Sequence, residues 1–359
     1  MIALAVVLAG GGGTRFWPLS RQNKPKQLLS ISGRDAMIND TISRYNTVIS
    51  EKDTYIVTNE SQAELLDDIL LNSVPRNNII KEPFGKNTAA CILYASLKVQ
   101  KKFGNVIMAV LPSDHYVANV SEYQKKLTEA IGLAEKYDKL VTIGIKPTFI
   151  STGYGYINYN NVKSVDSNIE AYDIIEFVEK PNFEKAKNYV ESGKYLWNSG
   201  MFIWQSEVII DNFKRYLPRL YNSFSSIYEY IDTPEEGKYV ADLYDNIQSI
   251  SIDYGILERS DEVIVLPGDF GWSDVGSWDC LGSIFPPDAE GNIVKAKHVG
   301  IETNGSIIYS ENRLIATIGI KDLIIVDSDD AVLVCPKEKA QMVRNIVDSL
   351  KLSNNEDFI

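Results

Sequence analysis

Hydrophobic residues along the first third of the chain follow two alternating patterns. Residues 4–8 and 106–111 are uninterrupted apolar runs, which is typical of strands that are covered on both faces of a sheet. Between these runs, Ile92, Ala95 and Val99 recur at helical spacing and share one face of a predicted helix. Strands separated by helices of this length predict right-handed crossovers and a mixed, mostly parallel Rossmann-like sheet flanked by helices.

The alternation of strands and helices continues beyond these runs. Further strands are expected at residues 55–58, 79–80, 174–178 and 196–204. A stretch rich in tyrosine and glycine from about residue 152 predicts an inserted sheet of shorter strands. Ligands of parallel sheets collect at the carboxyl ends of the strands, so the segments after residues 8 and 111 are candidate binding loops.

The pattern changes again near Pro286 and Pro287. Beyond them, short apolar segments separated by turn residues occupy residues 306–309, 314–318, 323–326 and 331–334. This spacing predicts a small β-domain, and a helix from about residue 337 closes the chain. We therefore expect an α/β domain over residues 1–285 and a small C-terminal β-domain over residues 286–359.

Four consecutive glycines follow the first predicted strand, at positions 10–13. Consecutive glycines allow main-chain N–H groups to surround an anion, so a strand that ends in such a loop is a candidate phosphate site. The dinucleotide-binding fingerprint needs a glycine at the position of Arg15, and a Walker A loop needs a Gly-Lys-Ser/Thr ending. This loop has neither feature.

The loop is followed by two cations. Arg15 offers a planar fork of donors to phosphate oxygens, and Lys26 offers a compact charge on a flexible stem. Together they indicate a polyphosphate ligand. A glycine-rich turn at a sheet edge with two solvated cations is the alternative interpretation of the same residues.

Composition excludes several other classes of ligand. The chain of 359 residues has a net charge of −12 and an isoelectric point near 4.8, which argues against nucleic acid or an anionic membrane as its main partner. Its three cysteines are far apart in sequence, as expected of a cytoplasmic protein without a disulfide framework. With only two histidines, a histidine-rich metal site is excluded.

The sequence Gly-Gly-x-Gly-Thr-Arg-x-x-Pro-Leu-Ser-Arg at 10–21, followed by Pro-Lys-Gln at 25–27, resembles the signature of the sugar-1-phosphate nucleotidyltransferases. The form with Trp-Pro-Leu-Ser-Arg is similar to the mannose-1-phosphate guanylyltransferase branch of that family. Further matching motifs lie at residues 82–89, 111–115, 153–157, 177–181, 197–202 and 272–278. The resemblance implies the nucleotide-diphospho-sugar transferase fold, with a C-terminal domain that resembles a short left-handed β-helix.

The activity implied by the resemblance is transfer of GMP from GTP to mannose 1-phosphate, giving GDP-mannose and pyrophosphate. Such a transfer requires two anions to meet, so positioning and charge neutralisation dominate its catalysis. Mg²⁺ prefers one or two carboxylates together with phosphate oxygens, and Asp114 and Asp274 are the candidate ligands. Taken alone, Asp114 could equally be a helix cap, and Asp274 could equally be a turn residue.

The resemblance assigns Arg15 to the departing β- and γ-phosphates and Lys26 to the α-phosphate. Glu82 is the candidate base reader, because a carboxylate accepts from both adjacent N–H donors of guanine. The same carboxylate could instead cap the following helix. The predicted nucleotide-binding residues are Leu8, Ala9, Gly10, Gly11, Gly12, Gly13, Thr14, Glu82, Asn87, Thr88 and Ser113.

The sugar side of the predicted site rests mainly on the resemblance. It implies that Gly153 and Tyr154 approach the hexose, that Glu179 and Asn198 bind its hydroxyls, and that Lys180 meets the sugar phosphate. An exposed ion pair is the ordinary interpretation of Glu179 and Lys180. A homodimer is also expected.

Two alternative functions remain open from the sequence. One is a nucleotidyltransferase of the same mechanism that takes another sugar or base. The other is a non-catalytic relative that binds a nucleotide sugar and regulates a partner.

Overall fold

The computed structural model describes residues 1–162, 164–353 and 355–359, and the chain forms two compact units. The first unit consists of Met1–Gly10, Ile42–Ser113 and Asn119–Trp272. The second consists of Gly11–Thr41, Asp114–Ala118 and Ser273–Ile359. The chain thus leaves the first unit directly after its first strand, and again after Ser113. In the described part of the chain, no helix is long and apolar enough to cross a membrane.

The first unit contains a nine-stranded sheet within the described residues. Its strands are β1 (Ala3–Leu8), β2 (Thr54–Asn59), β3 (Ile79–Glu82), β4 (Ile107–Pro112), β6 (Leu140–Ile145), β7 (Tyr156–Tyr159), β8 (Tyr172–Val178), β9 (Tyr195–Gln205) and β10 (Val263–Gly268). Two further strands of two residues each, β5 (Tyr116–Val117) and β11 (Trp272–Ser273), pair with each other in a separate small sheet. The strand order in the large sheet is β3-β2-β1-β4-β9-β6-β10-β8-β7.

One side of this sheet is parallel and the other is mixed. Strands β3, β2, β1 and β4 pair in parallel, with Val7 opposite both Ile56 and Leu111. Strand β9 then runs antiparallel between β4 and β6, and β8 is antiparallel to β10. Strand β1 lies inside the sheet between β2 and β4 and is buried on both faces. Its apolar run therefore shows no alternation with polar residues.

The first unit also contains helices, and the first of them begins in the second unit at Met37. They are α1 (Met37–Tyr45), α2 (Glu60–Ile69), α3 (Asn87–Phe103), α4 (Val120–Lys136), α5 (Phe183–Ser192), α6 (Ser206–Tyr216), α7 (Pro218–Ser226) and α8 (Glu236–Asn246). Helix α3 packs against α6 and α7, and α4 packs against β6 and β9. The core of the unit contains the buried face of α3 together with Trp204, Phe213 and Tyr244.

The second unit has a four-stranded sheet among its described residues, in the order β12-β13-β14-β15. The strands are β12 (Ile293–Ile301), β13 (Ile307–Ile318), β14 (Leu323–Asp327) and β15 (Val332–Pro336), followed by helix α9 (Val343–Leu352). Strands β12, β13 and β14 are parallel and are joined by short turns without helices, as in a β-helix. Phe16, Trp17 and Trp278 pack in one core with Ile307 and Val343.

The predicted fold class is confirmed, and the strand boundaries show where sequence patterns mislead. The apolar segments predicted at 306–309 and 314–318 are one strand, β13, because the polar residues between them continue the extended chain. The pairing of β12 with β13 shifts at this stretch, because residues 310–313 of β13 lie between the partners of Lys295 and Lys297. The predicted domain boundary at residue 285 is a single point along the chain, whereas each compact unit is assembled from three separate segments.

Candidate active site

The ammonium group of Lys26 joins three segments of the second unit. Its Nζ donates to Oδ2 of Asp114 at 2.8 Å and to the main-chain oxygen of Asp114 at 3.0 Å. A third hydrogen bond, of 2.8 Å, goes to the main-chain oxygen of Asp274. An ammonium group has three N–H donors, and here each of them has an acceptor in the protein. Lys26, with a relative exposure of 4%, therefore fixes the two candidate metal-binding segments.

Electrostatic attraction keeps the carboxyl group of Asp114 charged. Burial by itself would raise the pKa of this group, but the charge of Lys26, with smaller contributions from His115 and the hydrogen bond, lowers it. Asp114 is consequently ionised at neutral pH. The ring of Phe16 adds a cation–π contact, because its centroid lies 5.6 Å from the ammonium nitrogen of Lys26.

The glycine loop passes very close to Lys26 at Gly13. A Cβ atom on Gly13 would lie 2.2 Å from the Cβ of Lys26, and the φ angle of Gly13 is +59°. Both observations require glycine, since a side chain would clash and would also disfavour this left-handed backbone. The hydroxyl of Ser20 donates to the carbonyl oxygen of Gly13 at 2.7 Å and holds the turn.

A pocket of about 280 Å³ opens beside this network, entirely within the second unit. It is lined by Gly13, Thr14, Arg15, Phe16, Lys26, Asp114, His115, Asp274, Gly276 and Arg344. The four residues predicted to carry the chemistry (Arg15, Lys26, Asp114 and Asp274) are thus brought together in one hollow. Their individual roles stay predictions.

The carboxylates of this pocket suit one hard cation that phosphate oxygens also bind. Asp114 and Asp274 both line it, and two carboxylates with phosphate oxygens are the donor set that Mg²⁺ prefers. Among the described residues, no group of three or more His, Cys, Asp or Glu side chains could hold a metal by itself. The turn interpretation of Asp274 also has support, because its Oδ1 accepts from the N–H of Gly276 at 3.1 Å.

Glu82 ends strand β3 in the first unit, and its carboxyl group is buried. The hydroxyl of Tyr244 donates to its Oε1 at 2.7 Å. Burial raises the pKa of Glu82 to about 7, and the hydrogen bond from Tyr244 acts in the opposite direction. Glu82 does not cap the following helix, since the N-cap residue of α3 is Lys86. In its ionised form, a carboxylate at this position can accept hydrogen bonds from a ligand with paired donors.

The predicted residues beside β1 use their main-chain groups within the sheet. The N–H of Ala9 donates to the oxygen of Val57 at 2.8 Å, and the N–H of Ser113 donates to the oxygen of Leu8 at 3.2 Å. Gly10 is placed near the base-reading candidate, because a Cβ on it would lie 3.8 Å from Oε2 of Glu82. The main chain at Gly10 therefore lies close to the carboxyl group of Glu82.

The remaining predicted nucleotide residues lie in two places. Gly11, Gly12 and Thr14 belong to the glycine loop of the second unit, where both glycines are exposed. In the first unit, the side chain of Asn87 accepts from the N–H of Thr88 at 2.8 Å, and the hydroxyl of Thr88 accepts from the N–H of Ile252 at 2.8 Å. Thr88 therefore ties the start of α3 to the segment before residue 253.

The predicted sugar residues form a second cluster in the first unit. Glu179 is buried at its carboxyl group and pairs with the exposed ammonium of Lys180 at 2.5 Å. A Cβ on Gly155 would lie 2.5 Å from Oε2 of Glu179, so the backbone there approaches this carboxylate closely. The N–H of Asn198 donates to the oxygen of Gly155 at 2.8 Å, which places Asn198 in the same cluster.

Gly153 and Tyr154 directly precede Gly155 of this cluster, and Tyr154 belongs to a group of aromatic side chains. The ring of Tyr154 lies 5.0 Å from that of Trp197 and 5.4 Å from that of Trp272. The N–H of Gly153 donates to the hydroxyl of Ser151 at 3.2 Å. Aromatic faces of this kind commonly contact the C–H face of a sugar ring, in keeping with the predicted role of this stretch.

Asp253 is a candidate residue that the sequence did not reveal. Its Oδ1 accepts from the amide of Asn198 at 2.9 Å. Burial raises the pKa of Asp253 to about 7, and the nearby charge of Glu179 adds to the rise. The charge of Lys180 acts in the opposite direction, and the carboxyl group of Asp253 has a pKa near neutral pH as the net result. Neither a motif nor a periodicity marks Asp253, which lies 55 residues from Asn198 along the chain.

The fold and the pocket define a nucleotide-handling enzyme, and sequence comparison identifies its class. The profile described as "Nucleotidyl transferase" matches residues 4–290, and that of the "MannoseP isomerase/GMP-like beta-helix domain" matches residues 296–350. The chain belongs to the nucleotidyl transferase family, which confirms the resemblance drawn from the glycine loop.

Individual relatives agree with this assignment. A mannose-1-phosphate guanylyltransferase of Escherichia coli K12 is 35% identical over 98% of this chain and 74% of its own length. A second Escherichia coli protein of that name is 37% identical over 99% of this chain and 77% of its own length. A crystal structure described as mannose-1-phosphate geranyltransferase from Thermus thermophilus superposes with a TM-score of 0.87, at 30% identity, over 98% of this chain and 100% of that one.

Proposed function

We propose that the protein transfers GMP from GTP to α-D-mannose 1-phosphate and releases GDP-mannose and pyrophosphate. An oxygen of the sugar phosphate attacks the α-phosphorus of GTP. The bond from that phosphorus to the β-phosphate oxygen breaks, and pyrophosphate departs with the electron pair. The observation that carries the proposal is the shared pocket of Arg15, Lys26, Asp114 and Asp274, and the activity named for the relatives supports it.

The chain's own groups supply positioning and charge in this scheme. Arg15 is exposed at the pocket and offers its guanidinium to the β- and γ-phosphates. Lys26 acts first as a positioning residue, because its ammonium holds the segments of Asp114 and Asp274 in place. Binding of the α-phosphate by Lys26 requires one of its three present acceptors to be exchanged for a phosphate oxygen.

We also propose Mg²⁺ as the cofactor, held by Asp114 and Asp274. When bound, the ion neutralises phosphate oxygens and so reduces the repulsion between the two anionic substrates. Support for this proposal comes from the charged state of Asp114, whose carboxylate is paired with the ammonium of Lys26.

Base choice and sugar choice are proposed for residues of the first unit. Glu82 accepts from the two adjacent donors of guanine, whereas thymine, uracil and adenine each present a mixed donor–acceptor edge. Glu179, Asn198 and Asp253 offer acceptors to hexose hydroxyls, and Lys180 offers its charge to the sugar phosphate. The aromatic group around Tyr154 adds an apolar wall.

A pyrophosphate-release assay tests the proposed function. GTP, dTTP, UTP and ATP are each combined with mannose 1-phosphate and with glucose 1-phosphate in the presence of Mg²⁺. We expect the highest kcat/KM for GTP with mannose 1-phosphate. Another preferred pair would show the alternative transferase, and no release from any pair would show a non-catalytic relative.

A matched pair of variants connects the assay to the pocket. Asp274→Asn keeps the shape of the side chain and removes its charge, and we expect its rate to fall roughly 10²-fold or more. Asp211→Asn removes the same charge at an exposed surface position, and its rate should be unchanged. Equal rates for the two variants would separate Asp274 from the reaction.

We further propose a cytoplasmic homodimer. Cys91, Cys280 and Cys335 carry free thiols, which fits a reducing compartment. Val299, Ile301, Leu314 and Ile318 expose apolar side chains on β12 and β13, as residues of subunit interfaces do. Measurement of the mass in solution decides whether the protein is a dimer.

A further inference from the structure

Helix α9, near the end of the chain, is packed against the segment that directly follows the four glycines in the second unit. Val343 and Val347 are buried in the core that also contains Phe16 and Trp17. These contacts fix the first turn of α9 beside the short helical turn Thr14–Phe16. Arg344 follows Val343 directly, and its side chain lines the same pocket as Arg15. No sequence motif pointed to Arg344.

Among the described residues, the guanidinium of Arg344 makes one weak ionic contact. Its Nε lies 3.9 Å from Oδ2 of Asp348, one helical turn further on, and both side chains are more than half exposed. Such a pair contributes little and breaks easily. The ammonium of Lys26, in contrast, has its three donors directed at Asp114 and Asp274. The charge that the pocket can offer to an incoming anion therefore comes largely from its two arginines.

A nucleoside triphosphate carries several negative charges, whereas Arg15 alone supplies one positive charge. The protein carries a net charge of −12, so attraction of phosphate depends on groups within the pocket rather than on its overall field. Guanidinium groups suit this task because their planar fork binds two phosphate oxygens at once. Two arginines on different segments of one pocket can hold the two phosphorus centres of a pyrophosphate.

We propose that Arg344 is a further phosphate-binding residue, which with Arg15 holds the β- and γ-phosphates of the nucleotide and the pyrophosphate that departs. This inference rests on the proposed function and extends it, because it makes helix α9 a part of the binding site. Pyrophosphate binding then depends on a residue far beyond the glycine loop along the chain.

The test compares Arg344→Ala and Arg344→Lys with Lys351→Ala. Lys351 is an exposed cation near the other end of the same helix, so its removal changes the net charge equally without touching the pocket. Titration calorimetry with inorganic pyrophosphate and Mg²⁺ measures binding directly. We expect the dissociation constant to rise about 10- to 100-fold in Arg344→Ala, to recover in part in Arg344→Lys, and to stay constant in Lys351→Ala.

Kinetics in the reverse direction give an independent result. Arg344→Ala should raise the KM for pyrophosphate while the KM for GDP-mannose changes less than about twofold. A melting temperature equal to that of the unaltered protein shows that α9 is still in place. Unchanged pyrophosphate binding in Arg344→Ala, or a fall in kcat with every KM unchanged, would overturn the inference.

The two proposals fail in different ways. If the unaltered protein releases no pyrophosphate from any nucleotide but binds it through Arg344, the proposed function fails and the site stands. If the unaltered protein is active and Arg344→Ala binds pyrophosphate equally well, only the role of Arg344 fails.

Discussion

At the scale of single residues, Lys26 differs most from its sequence-based assignment. From its position after a glycine loop, Lys26 was predicted to bind the α-phosphate. In the structure its ammonium is buried and saturated by acceptors from two distant segments. Lys26 thus has a structural task as well as its predicted catalytic one, whereas Arg15 is exposed.

This difference predicts unequal behaviour of two alanine variants. Arg15→Ala and Lys26→Ala should each lower turnover by roughly 10² to 10³, as loss of a transition-state donor does. Lys26→Ala should also lower the free energy of unfolding by about 1–3 kcal/mol, because it leaves Asp114 without its cation. Steady-state kinetics and thermal unfolding measure the two effects. Near-normal rates in both variants would exclude the pocket from the active site.

Glu82 gives the protein a pH dependence that can be isolated. Its pKa of about 7, raised by burial, means that the carboxylate needed for guanine forms only as the pH rises through this value. The KM for GTP should therefore fall about tenfold between about pH 6 and pH 8 relative to that of Glu82→Gln. The ratio of the two proteins cancels the titration of GTP itself. A ratio that does not change with pH would contradict the role of Glu82 in base binding.

A second variant provides a control for this measurement. Tyr244→Phe removes a hydrogen bond that stabilises the carboxylate, so the pH profile of the KM for GTP should move to higher pH.

The pH dependence of folding stability has the opposite sign to that of GTP binding. A raised pKa stabilises the protein at low pH, and this stabilisation is lost as the pH rises through about 7. Glu82→Gln should show no such loss of stability with rising pH, because the glutamine side chain does not titrate.

At the scale of elements, the glycine loop can be tested one position at a time. Gly13→Ala introduces a Cβ that meets Lys26 at 2.2 Å, on a backbone with a φ of +59°. We expect this change to cost about 2 kcal/mol or more of unfolding free energy, and to lower activity because Lys26 must move.

Gly12 provides the matched control. A Cβ on Gly12 meets nothing within 4 Å, so Gly12→Ala should change the unfolding free energy by less than about 0.5 kcal/mol. Denaturant titration measures both variants. Equal stabilities would mean that Gly13 is not required by its close approach to Lys26.

Local signals in the sequence were sufficient to predict strands, helices and the glycine loop. They were insufficient to predict contacts between side chains that are far apart along the chain. The buried strands β1 and β4 and the loop after residue 8 follow from unbroken apolar runs and glycines, which are local properties. Tyr244, Asp253 and Arg344, in contrast, act through contacts with residues that are far away along the chain. A tyrosine or arginine in an amphipathic helix has the same pattern whether or not it reaches a site.

At the scale of the whole molecule, helix α9 completes the second unit. Ala340, Val343, Val347 and Ile359 are buried in that unit. A chain that ends at residue 336 loses them, and burial of each larger aliphatic side chain contributes about 1.5–3 kcal/mol. We expect the shortened chain to lose pyrophosphate binding and the cooperative unfolding of its second unit. Calorimetry and near-ultraviolet circular dichroism would show this, and an unchanged melting profile would contradict it.

The interleaved order of segments also determines when the protein can first act during its synthesis. Arg15 leaves the ribosome early, whereas Asp274 and Arg344 are among the last parts of the pocket to be translated. At about 5–20 residues per second, the delay between Arg15 and Arg344 is roughly 15 to 65 seconds. An unfinished chain therefore displays its glycine loop without the groups that complete the pocket. We expect nascent chains to bind nucleotide only weakly until Arg344 has been translated and helix α9 has folded.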